Sequence, residues 1–180
     1  MAYVRTAMAG WNDYFFMLGS AAAALIGLMF VVVSLTAGRA RSELEAGKKL
    51  YTSPIVWHLC VVVVLSGATV APSIDLRSLG IGTMVIAAAS AAYCLYLTRG
   101  IIRAQLASNF SGYDAFWYGV APAFIYAATA LSGWGLLSGR SWAASAIAGA
   151  VMALLLVSIH NEWDLVTYLA PDATSGSGSA

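Results

Sequence analysis

The chain alternates between long apolar segments and short polar ones. One of these segments, Tyr14–Thr36, contains no charged side chain and is longer than the roughly 20 residues that an α-helix needs to cross about 30 Å of hydrocarbon. Four further segments have a similar apolar character. The pattern predicts an all-α, polytopic membrane protein, a bundle of five transmembrane helices at about residues 12–36, 54–71, 79–98, 115–137 and 142–165.

The last apolar segment allows a second interpretation, in which four helices cross the membrane and Trp142–Tyr168 lies on its surface as an interfacial helix. Ala143–Ile159 is apolar on every face, which favours a crossing. We expect residues 1–173 to form a single transmembrane domain, with an uncleaved first helix. Residues 174–180 are rich in serine and glycine and are expected to be a flexible linker or tag remnant outside the fold.

The composition supports this class and excludes several others. Apolar residues make up 61% and charged residues 9% of the chain, against about 45–50% and 25% in soluble domains. No basic run indicates a nucleic acid partner. Five crossings leave no room for a separate catalytic domain, and no glycine-rich phosphate loop or catalytic set is present. The sequence therefore predicts a membrane protein that is not an enzyme and that requires no cofactor.

Several residues are predicted to begin or end these helices. Because serine, threonine, aspartate and asparagine accept hydrogen bonds from free amides, they are favoured at helix starts. Pro54 suits a first turn, and Pro122 is expected to bend the fourth helix near its start. A glycine turn, Ser138-Gly139-Arg140, separates the last two helices. The predicted N-caps are Asn12 or Asp13, Thr52 or Ser53, Ser78, Asp114 and Ser141.

The basic residues predict the orientation. Lysine and arginine are retained in cytoplasmic loops, and five crossings place the segments after helices one and three on the same side. The N-terminus is therefore expected outside and the C-terminus in the cytoplasm of a cell membrane. The basic residues are Arg39, Arg41, Lys48, Lys49, Arg99 and Arg103 on the cytoplasmic side, and Arg5, Arg77 and Arg140 on the other.

Lines of small residues predict where helices pack. In lipid, small side chains allow close backbone approach and mark helix contacts. Such lines either hold a tight bundle together or border a water-filled path, and their hydroxyls can bond back to their own helix. The lines are Asp13, Ser20, Ala24, Gly27 and Ser34 in helix one; Thr83, Ala87, Ser90 and Cys94 in helix three; Pro122, Tyr126, Thr129 and Gly133 in helix four; and Ser145, Gly149, Ala153 and His160 in helix five.

The topology places the only two histidines, His58 and His160, in the same leaflet. Three interpretations stay open: structural hydrogen bonding, a metal or haem site between helices, and a pH-sensitive gate. His58 and Cys60 leave opposite faces of their helix and cannot easily share an ion. Without a motif of metal ligands, no metal is predicted, and the two histidines are weak candidates.

In the gating interpretation, a protonated His160 pairs with Asp164, four residues later on the same helix face. Glu162 points to another side and could meet a cation from a neighbouring helix. The candidate cations are Arg99, Arg103, Lys48 and Lys49.

Function is predicted only in outline. The first hypothesis is a homo-oligomer in the lipid bilayer that provides a passage for a small solute or ion, since five helices alone form a slim bundle. The alternatives are a non-transporting membrane interaction or lipid-binding protein, and a metal or haem protein that uses His58 and His160.

Overall fold

The structure, a computed structural model, describes Met8 and residues 10–36, 44–107 and 115–169. Within these ranges, the side chains of 35–36, 44–53, 101, 103–107 and 168–169 are left undescribed. The described residues are helical, with short turns and no strand. The helices are α1 (Asn12–Thr36), α2 (Leu44–Val70), α3 (Leu76–Ala107), α4 (Ala121–Leu137) and α5 (Ala143–Leu169), with a π-helical turn, Phe116–Val120, directly before α4.

Among the described residues, four segments are long and apolar enough to cross a membrane: α1, α3, α5, and the π-helical turn together with α4. Where the side chains of α2 are described, its apolar part is Pro54–Val70, which is shorter and measures roughly 25 Å at 1.5 Å per residue. The second interpretation of the sequence placed α5 on the membrane surface. In the structure α5 meets the length and composition criteria for a crossing, and the described apolar part of α2 does not.

The bundle is built around α5. This helix packs against α1, α2 and α4, and a larger share of its apolar span is buried than in any other candidate span. A helix lying on the membrane surface would not be enclosed in this way. The core side chains around it are large and apolar, among them Phe15, Leu18, Met29, Leu59, Leu65, Ile147 and Leu154.

The remaining contacts divide the bundle into two pairs. The most extensive packing is between α3 and α4, followed by that between α1 and α2. α1 has the highest mean hydropathy of the candidate spans and the smallest buried share. Most of its surface therefore faces away from the rest of the chain.

α2 begins at Leu44, ten residues before the predicted start, and Pro54 lies inside it. The segment before Pro54 contains leucine, glutamate, alanine and lysine, which favour helices. A proline removes one backbone hydrogen bond, and here the helix continues on both sides of it. Thr52 and Ser53, the predicted N-caps, and Pro54, expected in the first turn, therefore lie inside the helix, and the predicted start is wrong.

Two turns show how the chain reverses direction. α3 is capped by Asp75, whose Oδ1 accepts a hydrogen bond of 2.8 Å from the amide of Ser78; Ser78, the predicted cap, is the third helical residue. After α4, the amide of Gly139 donates to Leu136 O and that of Arg140 donates to Gly135 O. Gly139 has φ +66°, the left-handed conformation that ends a helix in a Schellman motif.

The π-helical turn precedes the proline that was expected to bend α4. The amide of Ala121 donates to Phe116 O, five residues earlier. Pro122 has no amide hydrogen to donate to the preceding turn, so the backbone pattern is interrupted here. The predicted cap of this segment, Asp114, lies outside the described residues.

Candidate functional site

The small residues of α3 and α4 face each other. Thr83, Ala87, Ser90 and Cys94 of α3, and Pro122, Tyr126, Thr129 and Gly133 of α4, are all buried. A side chain at Gly133 would place its Cβ 2.8 Å from Gly80 O. Near the other end, a Cβ at Gly119 would overlap the Thr98 hydroxyl. α3 therefore approaches α4 closely at one end of the contact and the π-helical turn closely at the other.

The small residues of α1 and α5 lie elsewhere. Ser20, Gly27 and Ser34 of α1 are exposed, as is Gly149 of α5. A Cβ added at Gly27 or Gly149 would meet nothing within 4 Å. Within the described part of the chain, these four predicted packing residues are therefore exposed, whereas Gly133, the fifth, makes a close helix contact.

A shallow apolar groove runs along the outer side of α4 and α5. It has a volume of about 500 Å³ and is open to the surroundings. Its floor is made of small side chains, with Gly149 in the groove and Trp142 beside it. The exposed line of α5 is thus part of a concave surface rather than a flat one.

His58 lies at the junction of α2, α3 and α4 and is completely buried. Its Nδ1 is 2.7 Å from the hydroxyl of Tyr126. Ser90 lies within hydrogen-bonding reach of the same hydroxyl, and the indole of Trp57 donates to Ser90 Oγ at 3.0 Å. Cys60 is exposed, in agreement with the prediction that it and His58 occupy opposite faces.

One end of this hydrogen-bond chain has a fixed direction, because an indole N–H can only donate and Trp57 therefore donates to Ser90. At the other end the tautomer of His58 sets the direction: Tyr126 donates to an unprotonated Nδ1 and accepts from a protonated one. Within the described part of the protein, Nε2 is buried and has no hydrogen-bond partner.

Most other interior hydroxyls are satisfied by their own helices. Thr98, Thr129, Ser132 and Ser158 each donate to the carbonyl four residues earlier, as expected in membrane helices. These groups need no water, and they do not indicate a wet path through the bundle.

His160 lies near the C-terminal end of α5, where its ring packs on Trp117 with the centroids 4.1 Å apart. Its Nε2 is 3.5 Å from Asp164 Oδ2, and both side chains are partly exposed. The predicted proximity of His160 and Asp164 is therefore found. Its use as a pH-sensitive gate stays a prediction.

The two histidines do not form one site. His58 contacts Tyr126 and His160 contacts Trp117, and these partners are nine residues apart in one continuous helical segment, roughly 13 Å along its axis. Two ligands of one ion lie within a few ångströms of each other. Among the described residues, no group of three or more histidine, cysteine or acidic side chains is placed to hold a metal.

Asn161 and Glu162 are the residues whose environment the sequence analysis missed. Both lie in α5 and are buried, with exposed fractions of 0% and 5%. Both carboxylate oxygens of Glu162 and the Oδ1 of Asn161 have no hydrogen-bond partner in the described part of the protein. Glu162 was expected to reach a basic side chain. Of the four candidate cations, Arg99 is exposed. The side chains of the other three, Arg103, Lys48 and Lys49, lie outside the described part of the chain, so pairing with them stays a prediction.

One signal in the sequence could have pointed to Asn161. Pro122 leaves backbone carbonyls of the preceding turn without an amide partner, and such groups are satisfied by polar side chains when buried. Asn161 Nδ2 donates to Trp117 O at 3.1 Å, and the Tyr118 hydroxyl donates to Asn161 O at 3.1 Å. A proline near the start of one apolar helix, together with a polar residue inside another, therefore indicates that the polar side chain is buried and bonds to the carbonyl that the proline leaves free.

Comparisons of the chain with models of protein families, with curated proteins and with solved structures find no match. No relative therefore contributes a residue role to the sites described above.

Proposed function

We propose that the protein is a multi-pass cell-membrane protein that assembles from several copies of this chain and provides a passage for a small solute or ion. Its N-terminus lies outside and its C-terminus in the cytoplasm, as the distribution of basic residues favours. The observation that carries the proposal is the outward position of the small-residue lines on α1 and α5.

Outward small residues support assembly because of how helices associate in lipid. Burying apolar area gives no net gain there, and association depends on close packing between backbones. On α3 and α4, the small residues make close contacts within the chain. On α1 and α5, the same kind of line leaves open glycines at Gly27 and Gly149. A second copy of the chain is the partner with matching small-residue surfaces.

The filled interior supports a passage between copies rather than through one. Phe15, Met29 and Tyr126 are among the largest fully buried side chains of the bundle. The groove described above lies on the outer side of α4 and α5. In an oligomer, such outer surfaces border the space between subunits.

The same groove favours a second candidate, a lipid-binding protein that transports nothing. Its lining is almost entirely apolar, and it is open along one side. An acyl chain would fit such a surface as well as a helix would. The two candidates differ in what occupies the groove and in whether solutes cross.

The test combines oligomeric state with flux. We would measure the mass of the purified protein in lipid nanodiscs by native mass spectrometry, and the flux of cations, anions and small neutral solutes into liposomes. Gly149→Leu fills the groove, and Gly67→Leu is the matched control because its Cβ position is also open. We expect Gly149→Leu to lower both oligomer content and flux, and Gly67→Leu to change neither.

A monomeric wild-type protein would contradict the proposal, as would flux no greater than in empty liposomes. Lipid that co-purifies with the wild type and is lost with Gly149→Leu, without any solute flux, would favour the lipid-binding candidate instead.

A further inference from the structure

In the described part of the protein, three oxygen atoms near the C-terminal end of α5 are buried without a donor. They are Oε1 and Oε2 of Glu162 and Oδ1 of Asn161. All three accept hydrogen bonds when the carboxyl group is ionised. Buried polar atoms almost always have partners, and an exception requires a physical explanation. For the two oxygens of Glu162, a bound cation or a proton supplies that explanation.

The surrounding contacts hold Asn161 in one orientation. Its Nδ2 donates to Trp117 O, and its backbone carbonyl accepts from the Tyr118 hydroxyl. Exchanging the amide nitrogen and oxygen would bring Oδ1 against a carbonyl oxygen, which is repulsive. Oδ1 is therefore the side-chain atom that is left without a partner, and the π-helical turn fixes it there.

The cost of burial limits what Glu162 can be. An ionised carboxyl without a partner inside a membrane bundle costs several kcal/mol. The carboxyl is stable there if it holds a proton or if a cation lies beside it. A single carboxylate neutralises one positive charge, so a monovalent cation leaves the site neutral, whereas a divalent one leaves a buried charge.

We propose that the carboxylate of Glu162, next to Asn161 in α5, binds a small monovalent cation, either an alkali cation or a proton. Carboxylate and amide oxygens are suitable ligands for such hard cations. The inference rests on the proposed transport function and names its solute class. The site lies five residues before Thr167, the end of the apolar span, roughly 8 Å along the helix, within reach of the interface.

Among the residues whose side chains the structure describes, the charged and titratable groups on α5 and on the elements packed against it can be named. On α5 itself, His160 and Asp164 contact each other at 3.5 Å. Tyr118, in the π-helical turn, already donates to Asn161 O. On α2, which packs against α5, His58 contacts Tyr126, nine residues after Trp117, and Cys60 is exposed. On α1, Tyr14 donates to Ala148 O at 3.3 Å, near the other end of α5. Lys48 and Lys49 have side chains outside the description.

The first experiment measures binding without flux. A hydrophobic carbodiimide modifies protonated carboxyl groups in apolar surroundings, and mass spectrometry of the purified wild type in nanodiscs identifies the modified residue. The reaction is run in choline chloride over a range of pH, and then with Na⁺ or K⁺ replacing choline at constant ionic strength. At a concentration about ten times its dissociation constant, a bound cation lowers the fraction of free sites, and thus the rate of modification, roughly tenfold.

The outcomes separate the two cations. Modification of Glu162 that falls when Na⁺ or K⁺ is added supports an alkali-cation site. Modification that ignores Na⁺ and K⁺ and that persists to a higher pH at Glu162 than at Asp164 supports a proton site. The site does not exist if Glu162 is not modified at any pH. It also does not exist if Glu162 and the partly exposed Asp164 are modified at the same rate at every pH and added Na⁺ or K⁺ does not slow the modification of Glu162.

Variants provide a second readout. Glu162→Gln keeps the size of the side chain and removes its charge, and Asp164→Asn is the matched control on the same helix. If the cation is an alkali ion, the melting temperatures of the wild type and of Asp164→Asn rise when Na⁺ or K⁺ replaces choline. If it is a proton, both melting temperatures rise as the pH is lowered. In either case the melting temperature of Glu162→Gln stays constant. An equal rise in Glu162→Gln overturns the assignment. Cation binding without flux would instead preserve the site and refute the transport function.

Discussion

The α3–α4 pair and the outer faces of α1 and α5 carry similar lines of small residues but differ in what covers them. Between α3 and α4 the lines meet, and the Cβ position of Gly133 lies 2.8 Å from Gly80 O. On α1 and α5 the lines are open, with nothing within 4 Å of the Cβ positions of Gly27 and Gly149. A small-residue line therefore indicates a close contact without saying whether the partner lies in the same chain.

The comparison also shows what makes an internal contact. The α3 and α4 lines include Tyr126 and Ser90, whose hydroxyls join a hydrogen-bond chain to His58. Polar links of this kind fix which helix faces which. On the outer line of α1, the hydroxyl of Ser34 bonds back to Phe30 O at 2.8 Å, and so it places no demand on a neighbour.

The largest effect is expected from filling the closest internal contact. Gly133→Leu would force α3 and α4 apart, because its Cβ alone would overlap Gly80 O. We expect the free energy of unfolding to fall by about 3 kcal/mol, measured by thermal unfolding in detergent. Gly82→Leu, at an open position of α3, is the control, and both changes gain the same helix propensity. Equal stability of the two variants would show that the Gly80–Gly133 contact is not close.

A smaller loss is expected from removing one hydroxyl inside the same pair. Tyr126→Phe leaves His58 Nδ1 without its partner at 2.7 Å, and a buried polar group without a partner costs about 1–2 kcal/mol. Tyr96→Phe, at a residue that is 74% exposed, should leave the free energy of unfolding within about 0.5 kcal/mol of the wild type. If both variants are equally stable, the chain from Trp57 to His58 does not stabilise the bundle.

The smallest effect on the fold is expected on the outer face. Gly27→Leu should not lower the free energy of unfolding of the single chain, because the added atoms meet nothing in its described part, and the gain in helix propensity should raise it by at most about 1 kcal/mol. The same variant should weaken self-association, as seen by cross-linking in nanodiscs. A loss of stability comparable to that of Gly133→Leu would mean that α1 packs more tightly than the structure has it.

Apolar length and turn chemistry were sufficient to predict much of the fold. The span predicted in α1 and the glycine turn at Gly139 are found close to their expected positions. The buried faces of α3 and α4 also match, because small and polar residues at helical spacing indicate a face whichever helix covers it. The proximity of His160 and Asp164 follows from the i, i+4 geometry of any helix.

The features that were missed depend on contacts distant in sequence. The start of α2 at Leu44 required knowing that the helix continues through Pro54. The burial of Glu162 depends on how α5 is enclosed by its neighbours, and a polar residue near a helix end is usually solvated. The outward direction of the small-residue line on α1 depends on which face of this helix packs against α2. One face carries small residues and the other carries larger apolar ones, and the sequence does not indicate which of the two meets α2.

The continuation of α2 through Pro54 has a consequence for how this helix would sit in a bilayer. Pro54–Val70 spans roughly 25 Å, whereas an average hydrocarbon layer is about 30 Å thick. The helix begins ten residues before Pro54, and residues 50–53 carry no charged side chain, which adds roughly 6 Å of uncharged helix. In a bilayer of average thickness, α2 would therefore match the hydrocarbon layer without thinning it, and Lys49 would be the first charged residue at its N-terminal edge.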